Sequence, residues 1–205
     1  MFIKICGITN LEDAQNAVLF GADAIGLVFA DSPRKITPSK AKEIIDQIGK
    51  SAIKVGVFVN EPIDNVKETV KFCGLDAVQL HGDESPDYCA KLKISKVIKA
   101  FRMKDETSLL SMKDYNGVFA YLLDSFSKDR YGGTGKAFDW SLAVKAKVLG
   151  KPIILSGGIG LDNIQDAIKA VRPYGIDISS SVEREPGKKD TFLMKRLIYA
   201  IKALD

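Results

Sequence analysis

The sequence is poor in the residues that hold metals and cross-links. Among 205 residues there is one histidine, His81, and three cysteines, Cys6, Cys73 and Cys89. An odd cysteine count with no CxxC pair and no ligand-like spacing argues against a disulfide scaffold and a zinc site. No metal or organic cofactor is therefore expected. No apolar run approaches the ~18 residues of a membrane span, and the N-terminus shows no basic region, apolar stretch and cleavage site in series. No basic block with interleaved aromatics marks a nucleic-acid surface. The formal charge of +4 is a mild bias that helps attract an anionic metabolite. A reducing, soluble compartment, the cytoplasm, is expected. The expected partner is a small molecule, with neither nucleic acid nor membrane; the choice between monomer and homodimer stays open.

What the sequence does have is a regular alternation. Short segments rich in Val and Ile, at 2–6, 24–29, 54–59, 77–81, 96–101, 119–124, 152–156 and 175–179, are predicted strands. Amphipathic stretches follow each one, at 10–20, 38–48, 63–73, 86–92, 106–112, 140–148, 161–171 and 191–203. Thr37, Asp105 and Asp139 read as N-caps. Gly-Ala-Asp-Ala at 21–24 and Gly-Leu-Asp-Ala at 74–77 read as one helix-to-strand turn used twice. Eight strand–helix units in strict alternation predict an α/β fold, a single (β/α)8 TIM barrel over residues 1–205. The longest loops, 31–36, 125–138 and 180–190, all follow strands. They are therefore expected at the C-terminal face, where barrels carry their chemistry.

Polar residues gather at those same strand ends. Cys6 ends the first segment, His81 the fourth and Asp124 the sixth; Ser156-Gly157-Gly158 ends the seventh and Ser179-Ser180-Ser181 the eighth. Gly157 and Gly158 let backbone approach an anion, and a helix predicted to open near Leu161 would turn free N–H groups toward it. Ser180 and Ser181 would add donors from the next loop; turn glycines and capping serines are the plainer reading. Cys6 is either a small buried apolar side chain or a base activated at the mouth. Asp124 follows the apolar run Tyr121-Leu122-Leu123, where poor solvation favours a protonated carboxyl and suits a general acid; a cap or ion-pair partner is the alternative. One acid facing one base suits proton transfer and isomerisation. His81 reads as a polar group holding substrate or a loop. Arg34 is either a solvated side chain or a fork for a second substrate anion. Tyr131-Gly132-Gly133-Thr134-Gly135-Lys136 fails the Walker pattern, since Ala137 stands where Ser or Thr is needed, and reads as a glycine-hinged lid.

Together these motifs resemble the phosphoribosylanthranilate isomerase family of tryptophan biosynthesis, over essentially the whole chain. The matching blocks are Lys4-Ile5-Cys6-Gly7-Ile8-Thr9, Gly21-Ala22-Asp23-Ala24, Ser32-Pro33-Arg34, Val55-Gly56-Val57-Phe58-Val59-Asn60 and Val78-Gln79-Leu80-His81-Gly82. Later come Gly132-Gly133-Thr134-Gly135-Lys136, Phe138-Asp139-Trp140, Leu155-Ser156-Gly157-Gly158 and Gly187-Lys188-Lys189-Asp190. The resemblance implies a phosphosugar substrate and an Amadori rearrangement with Asp124 as acid and Cys6 as base. Arg34 matches the family's contact to the anthranilate carboxylate. One position departs: the family usually reads Ser-Ser-Gly-Val-Glu where this chain has Ser179-Ser180-Ser181-Val182-Glu183. A glycine there that takes φ > 0 would leave the serine strained by roughly 1–2 kcal/mol.

Three other readings compete with this one. An indole-glycerol-phosphate synthase relies on a lysine inside the barrel, for which Lys4 and Lys54 are the candidates. A metal-dependent pentose-phosphate epimerase needs several histidines. A non-catalytic sensor of phosphate ligands has only Ser181 in its favour. Alternation along the first strand turns Lys4 inward with Cys6, and Ile176 and Ile178 pointing outward would turn Asp177 inward beside it. A buried ammonium needs a partner, so an interior Lys4–Asp177 ion pair is predicted.

Overall fold

The alternating β-branched and amphipathic segments fold into one closed parallel barrel. The computed structural model describes residues 1–94, 96–125 and 138–204. Its strands are β1 (Phe2–Cys6), β2 (Ala24–Val28), β3 (Ile53–Phe58), β4 (Ala77–Leu80), β5 (Val97–Met103), β6 (Ala120–Ser125), β7 (Ile153–Leu155) and β8 (Gly175–Ile178). Each pairs in parallel with the next, and β8 pairs back with β1. The surrounding helices are α1 (Leu11–Phe20), α2 (Pro38–Ile48), α3 (Ile63–Cys73), α4 (Pro86–Leu92), α5 (Thr107–Met112), α6 (Trp140–Ala146), α7 (Ile164–Val171) and α8 (Thr191–Lys202). A small antiparallel pair, β9 (Glu183–Glu185) and β10 (Lys188–Lys189), lies between β8 and α8.

Local chemistry explains the helices. Thr37 caps α2 through its hydroxyl, which accepts from the Lys40 N–H, and Pro38 supplies a preset φ in the first turn. Ala41, Ile44, Ile45 and Ile48 recur at helical spacing and are buried against the sheet. Each isoleucine contributes roughly 1.5–3 kcal/mol by that burial. Asp139 caps α6. Asp105 lies just outside α5, and its carboxylate accepts from the Thr107 N–H at 2.9 Å.

The repeated turn is used twice as expected. Asp23 Oδ2 accepts from the Ile3 N–H at 2.8 Å, and Asp76 Oδ2 accepts from the Lys54 N–H at 2.9 Å. In both cases the aspartate ahead of one strand stitches the start of the preceding strand. The N-terminal rim of the barrel is thereby pinned at β1–β2 and β3–β4.

Most boundaries fall within one or two residues of expectation, and two regions differ further. The helix predicted from Leu161 begins at Ile164, because the Asn163 side chain holds a turn ahead of it. Its Oδ1 accepts from the Gly160 N–H at 3.0 Å and its Nδ2 donates to the Gly158 carbonyl at 2.8 Å. The region 180–190, expected as loop, holds a short 3-10 turn at Ser180–Val182 as well as β9 and β10.

Inside the barrel, alternate strand positions build layers. The lower interior is apolar and includes Ala24, Val55, Ala77, Ile98, Leu122 and Ile154. Buried polar groups follow: Lys4, Gln79 and Asp177. The larger aliphatics, Ile176 and Ile178 among them, pack outward between sheet and helices.

Candidate active site

Period-two alternation carries β1, β4 and β6 to the same mouth. Cys6 stands two residues above Lys4, His81 two above Gln79 and Asp124 two above Leu122. Asp124 is buried, with 3% of its surface exposed. Its Oδ1 accepts from the Ser125 N–H at 2.8 Å, and its Oδ2 lies 3.1 Å from His81 Nε2. Gln79 Nε2 lies 2.8 Å from His81 Nδ1. The Gln79 amide and the Asp124 carboxyl engage the two ring nitrogens and so hold the plane of the imidazole. His81 is thus a holder of Asp124, not an isolated group at the rim.

Gly157 lies against that carboxylate. Its φ is +77°, and a Cβ there would sit 2.6 Å from Asp124 Oδ1 and 2.3 Å from the Ser125 nitrogen. Only glycine permits both the left-handed backbone and this approach. The glycine expected at the anion site thus also lies beside Asp124.

Cys6 is buried at the opposite side of the mouth, 8% exposed. Burial pushes its thiol above the ordinary value, against the pull of Lys4. The predicted ion pair below it is present, with Lys4 Nζ 2.7 Å from Asp177 Oδ1. Lys4 and Asp177 face each other in register across the closing β1–β8 seam. Burial opposes the Lys4 charge, but Asp177 and Cys6 hold the ammonium above its usual range. The other interior-lysine candidate, Lys54, pairs with Asp76 at 2.7 Å at the far end of the barrel.

Arg34 is a built element. Its Nε and Nη2 meet the Glu183 carboxylate at 2.8 and 2.6 Å in a bidentate pair. Glu183 also accepts from Lys189 Nζ at 2.8 Å. Lys189 Nζ in turn donates to the carbonyls of Cys6 at 2.6 Å and Ser179 at 3.2 Å. Burial acts to raise Glu183, but Arg34 and Lys189 hold it below the usual carboxylate range. One chain of charged contacts therefore links Arg34 to the ends of β1 and β8. The sequence reading assigned no role to Gln79, Glu183 or Lys189. Gln79 was within reach, being two residues from His81 on one face of a strand. The other two sit on a hairpin whose only local signal is the Pro186-Gly187 turn, which does not show that Lys189 reaches Glu183.

The loops after β7 and β8 meet. A Cβ at Gly160 would lie 3.3 Å from the Ser181 Cβ. Ser180 and Ser181 open the short 3-10 turn, and the first N–H groups of a helical turn lack intrahelical partners. Ser181 does not take a positive φ, so the strain expected of a serine at the family's glycine position does not arise. The segment 131–136, read as a lid, lies outside the described residues. Among the described residues no helix is long and apolar enough to cross a membrane, and no group of three His, Cys, Asp or Glu side chains could hold a metal ion.

Comparison with known proteins points the same way as the site. A family model described as N-(5'phosphoribosyl)anthranilate (PRA) isomerase matches residues 3–200. The chain is similar to the N-(5'-phosphoribosyl)anthranilate isomerase of Pelobacter propionicus, with 50% identity over 201 residues covering 98% of this chain and 95% of the relative. It is similar in structure to phosphoribosyl anthranilate isomerase from Thermotoga maritima, with a TM-score of 0.93 and 40% identity over the full length of both chains. Another similar structure is of a phosphoribosyl anthranilate isomerase in complex with reduced 1-(o-carboxyphenylamino)-1-deoxyribulose 5-phosphate. Its TM-score is 0.89 at 39% identity, again over both full chains.

Proposed function

The chain belongs to the N-(5'-phosphoribosyl)anthranilate isomerase family, and from that premise we propose how its own residues carry the reaction. The activity is the isomerisation of N-(5-phosphoribosyl)anthranilate to 1-(2-carboxyphenylamino)-1-deoxyribulose 5-phosphate in tryptophan biosynthesis. Asp124 is the general acid. It delivers a proton to the ribose ring oxygen, the C1–O bond breaks, and the nitrogen lone pair forms a protonated Schiff base. The cationic nitrogen makes the C2 proton acidic. Cys6, as thiolate, takes that proton, and the C–H electrons form the enolamine and neutralise the nitrogen. The enolamine then tautomerises to the ketone.

The observation that carries this reading is the placement of one buried thiol and one buried carboxyl, on β1 and β6, at the same mouth. Arg34 is the proposed contact to the anthranilate carboxylate. His81 positions Asp124 and lines the substrate site. The phosphate is assigned to the junction of the last two barrel loops, where Gly157 and Gly158 let the backbone approach it and backbone donors lie near Gly158, Ser180 and Ser181; Gly157 also makes room for Asp124. A cytoplasmic location goes with the same reading, supported by three free thiols.

The test is a turnover assay that follows the loss of fluorescence of the anthranilate conjugate. A positioned acid or base is worth roughly 10²–10⁴-fold. Asp124→Asn and Cys6→Ala should each lower kcat by at least that much with modest changes in KM. Near-normal kcat in either variant overturns that residue's role.

A further inference from the structure

The acid–base exchange makes no direct use of Lys4 or Asp177, yet both are buried in the barrel interior and paired at 2.7 Å. Replacing a buried ion pair with apolar residues of equal volume is often neutral or stabilising, so stability alone is a weak account of it. The position is more informative. Lys4 shares the interior face of β1 with Cys6, one layer lower. Gly26 of β2 is the register partner of Cys6. A Cβ on Gly26 would lie 2.7 Å from the Cys6 Sγ and 3.1 Å from the Lys4 Cε. The missing side chain therefore leaves one pocket in which the thiol and the lysine stem come together.

We propose that the Lys4–Asp177 pair is a positioning element of the reaction, a fixed counter-ion beneath Cys6 that stabilises its thiolate and is itself restrained by Asp177. The inference rests on the reading of Cys6 as the base. Lys4 draws the thiol toward ionisation and Asp177 opposes it. Lys189 from β10 adds a second positive charge near the thiol, and Arg34 faces it from the loop after β2. His81 and Asp124 act on Asp177 from β4 and β6. In the deprotonation step the thiolate lone pair takes the C2 proton, leaving a neutral thiol above an intact ammonium–carboxylate pair. Lys4 gives up no proton.

The experiment is the pH dependence of Cys6 alkylation by iodoacetamide, resolved from Cys73 and Cys89 by peptide mass spectrometry, with kcat/KM measured over the same range. An opposite charge within ~4–6 Å moves a titration by about 1–3 units. Asp177→Asn, which keeps Lys4, should move the alkylation midpoint about one unit toward acid. The double variant Lys4→Met with Asp177→Asn avoids a stranded carboxylate and should move it about one unit toward alkali. It should also slow turnover about tenfold below the midpoint. The limb of kcat/KM governed by thiol ionisation should follow in both. A midpoint that stays put in either folded variant, or shifts of the same sign in both, overturns the proposal; if the double variant does not fold, the sign of the Asp177→Asn shift decides. The base assignment is judged separately. Retained kcat in Cys6→Ala removes it, whereas an unmoved alkylation midpoint removes only the role of the pair.

Discussion

Asp124 can act as an acid only if its carboxyl is aimed, and two contacts aim it. The Ser125 N–H fixes one oxygen and His81 the other. His81 is fixed in turn by Gln79. Gln79 Oε1, however, meets no hydrogen-bond partner among the described residues, and a buried unsatisfied group costs about 1–3 kcal/mol. Gln79→Leu should therefore leave the urea midpoint little changed, since the orphan oxygen disappears while His81 Nδ1 loses its partner. The imidazole loses its restraint, and a displaced catalytic group costs up to about 10²-fold, so kcat should fall by at least about tenfold with KM little changed. Unaltered kcat would separate Gln79 from the orientation of Asp124. At this scale the site was legible wherever a residue ended a strand, because strand ends converge on the mouth. Cys6, His81 and Asp124 were read that way. That Gly157 also makes room for Asp124 was not legible, because a glycine shows the need for space, not which neighbour takes that space.

Among the elements, the strand–helix alternation was legible throughout because burial enforces its periods of 2 and 3.6. The start of α7 was not, since a side-chain hydrogen bond from Asn163 rather than hydrophobic pattern sets it. The repeated aspartate turn shows what a local motif can carry. Asp23→Ala and Asp76→Ala should each destabilise by about 1–3 kcal/mol, the loss expected for a hydrogen bond to a charged acceptor. Both act at the N-terminal rim, away from the mouth, so kcat should be unchanged. The check is urea unfolding of both variants beside steady-state kinetics; a large kcat defect in either would contradict this division of the barrel. The junction of the loops after β7 and β8 yields a second prediction. Ser181 is not in the left-handed region, so Ser181→Gly relieves no strain. KM should stay within about twofold, the scale of a ±0.5 kcal/mol surface effect, with kcat unchanged. Inorganic phosphate should inhibit competitively; phosphate in large excess without effect would remove the anion site from this junction.

For the whole molecule, the critical seam is where the two ends of the chain's barrel meet, between β1 and β8. Below the mouth the seam is closed by Lys4 and Asp177. At the mouth it is closed by Lys189, which holds the Cys6 and Ser179 carbonyls while Glu183 holds both Lys189 and Arg34. Glu183 is almost fully buried at its side chain, 4% exposed. Its carboxyl titrates below the ordinary 4.5, because Arg34 and Lys189 outweigh the effect of burial. A depressed folded-state value means that the unfolded chain binds the proton first. The stabilisation is then complete above the ordinary carboxylate value and is lost as pH falls through the lowered one. Glu183→Gln removes this dependence and leaves two buried or half-buried cations without their counter-charge. The variant should be clearly less stable than the parent at pH 7, and the gap between their urea midpoints should narrow as pH drops below about 4.5. Loss of the Arg34 restraint should also raise KM more than it lowers kcat, since the fork would face the substrate carboxylate in many orientations. A stability gap that stays constant from pH 7 to pH 3 would mean that Glu183 is not the charge that closes the seam.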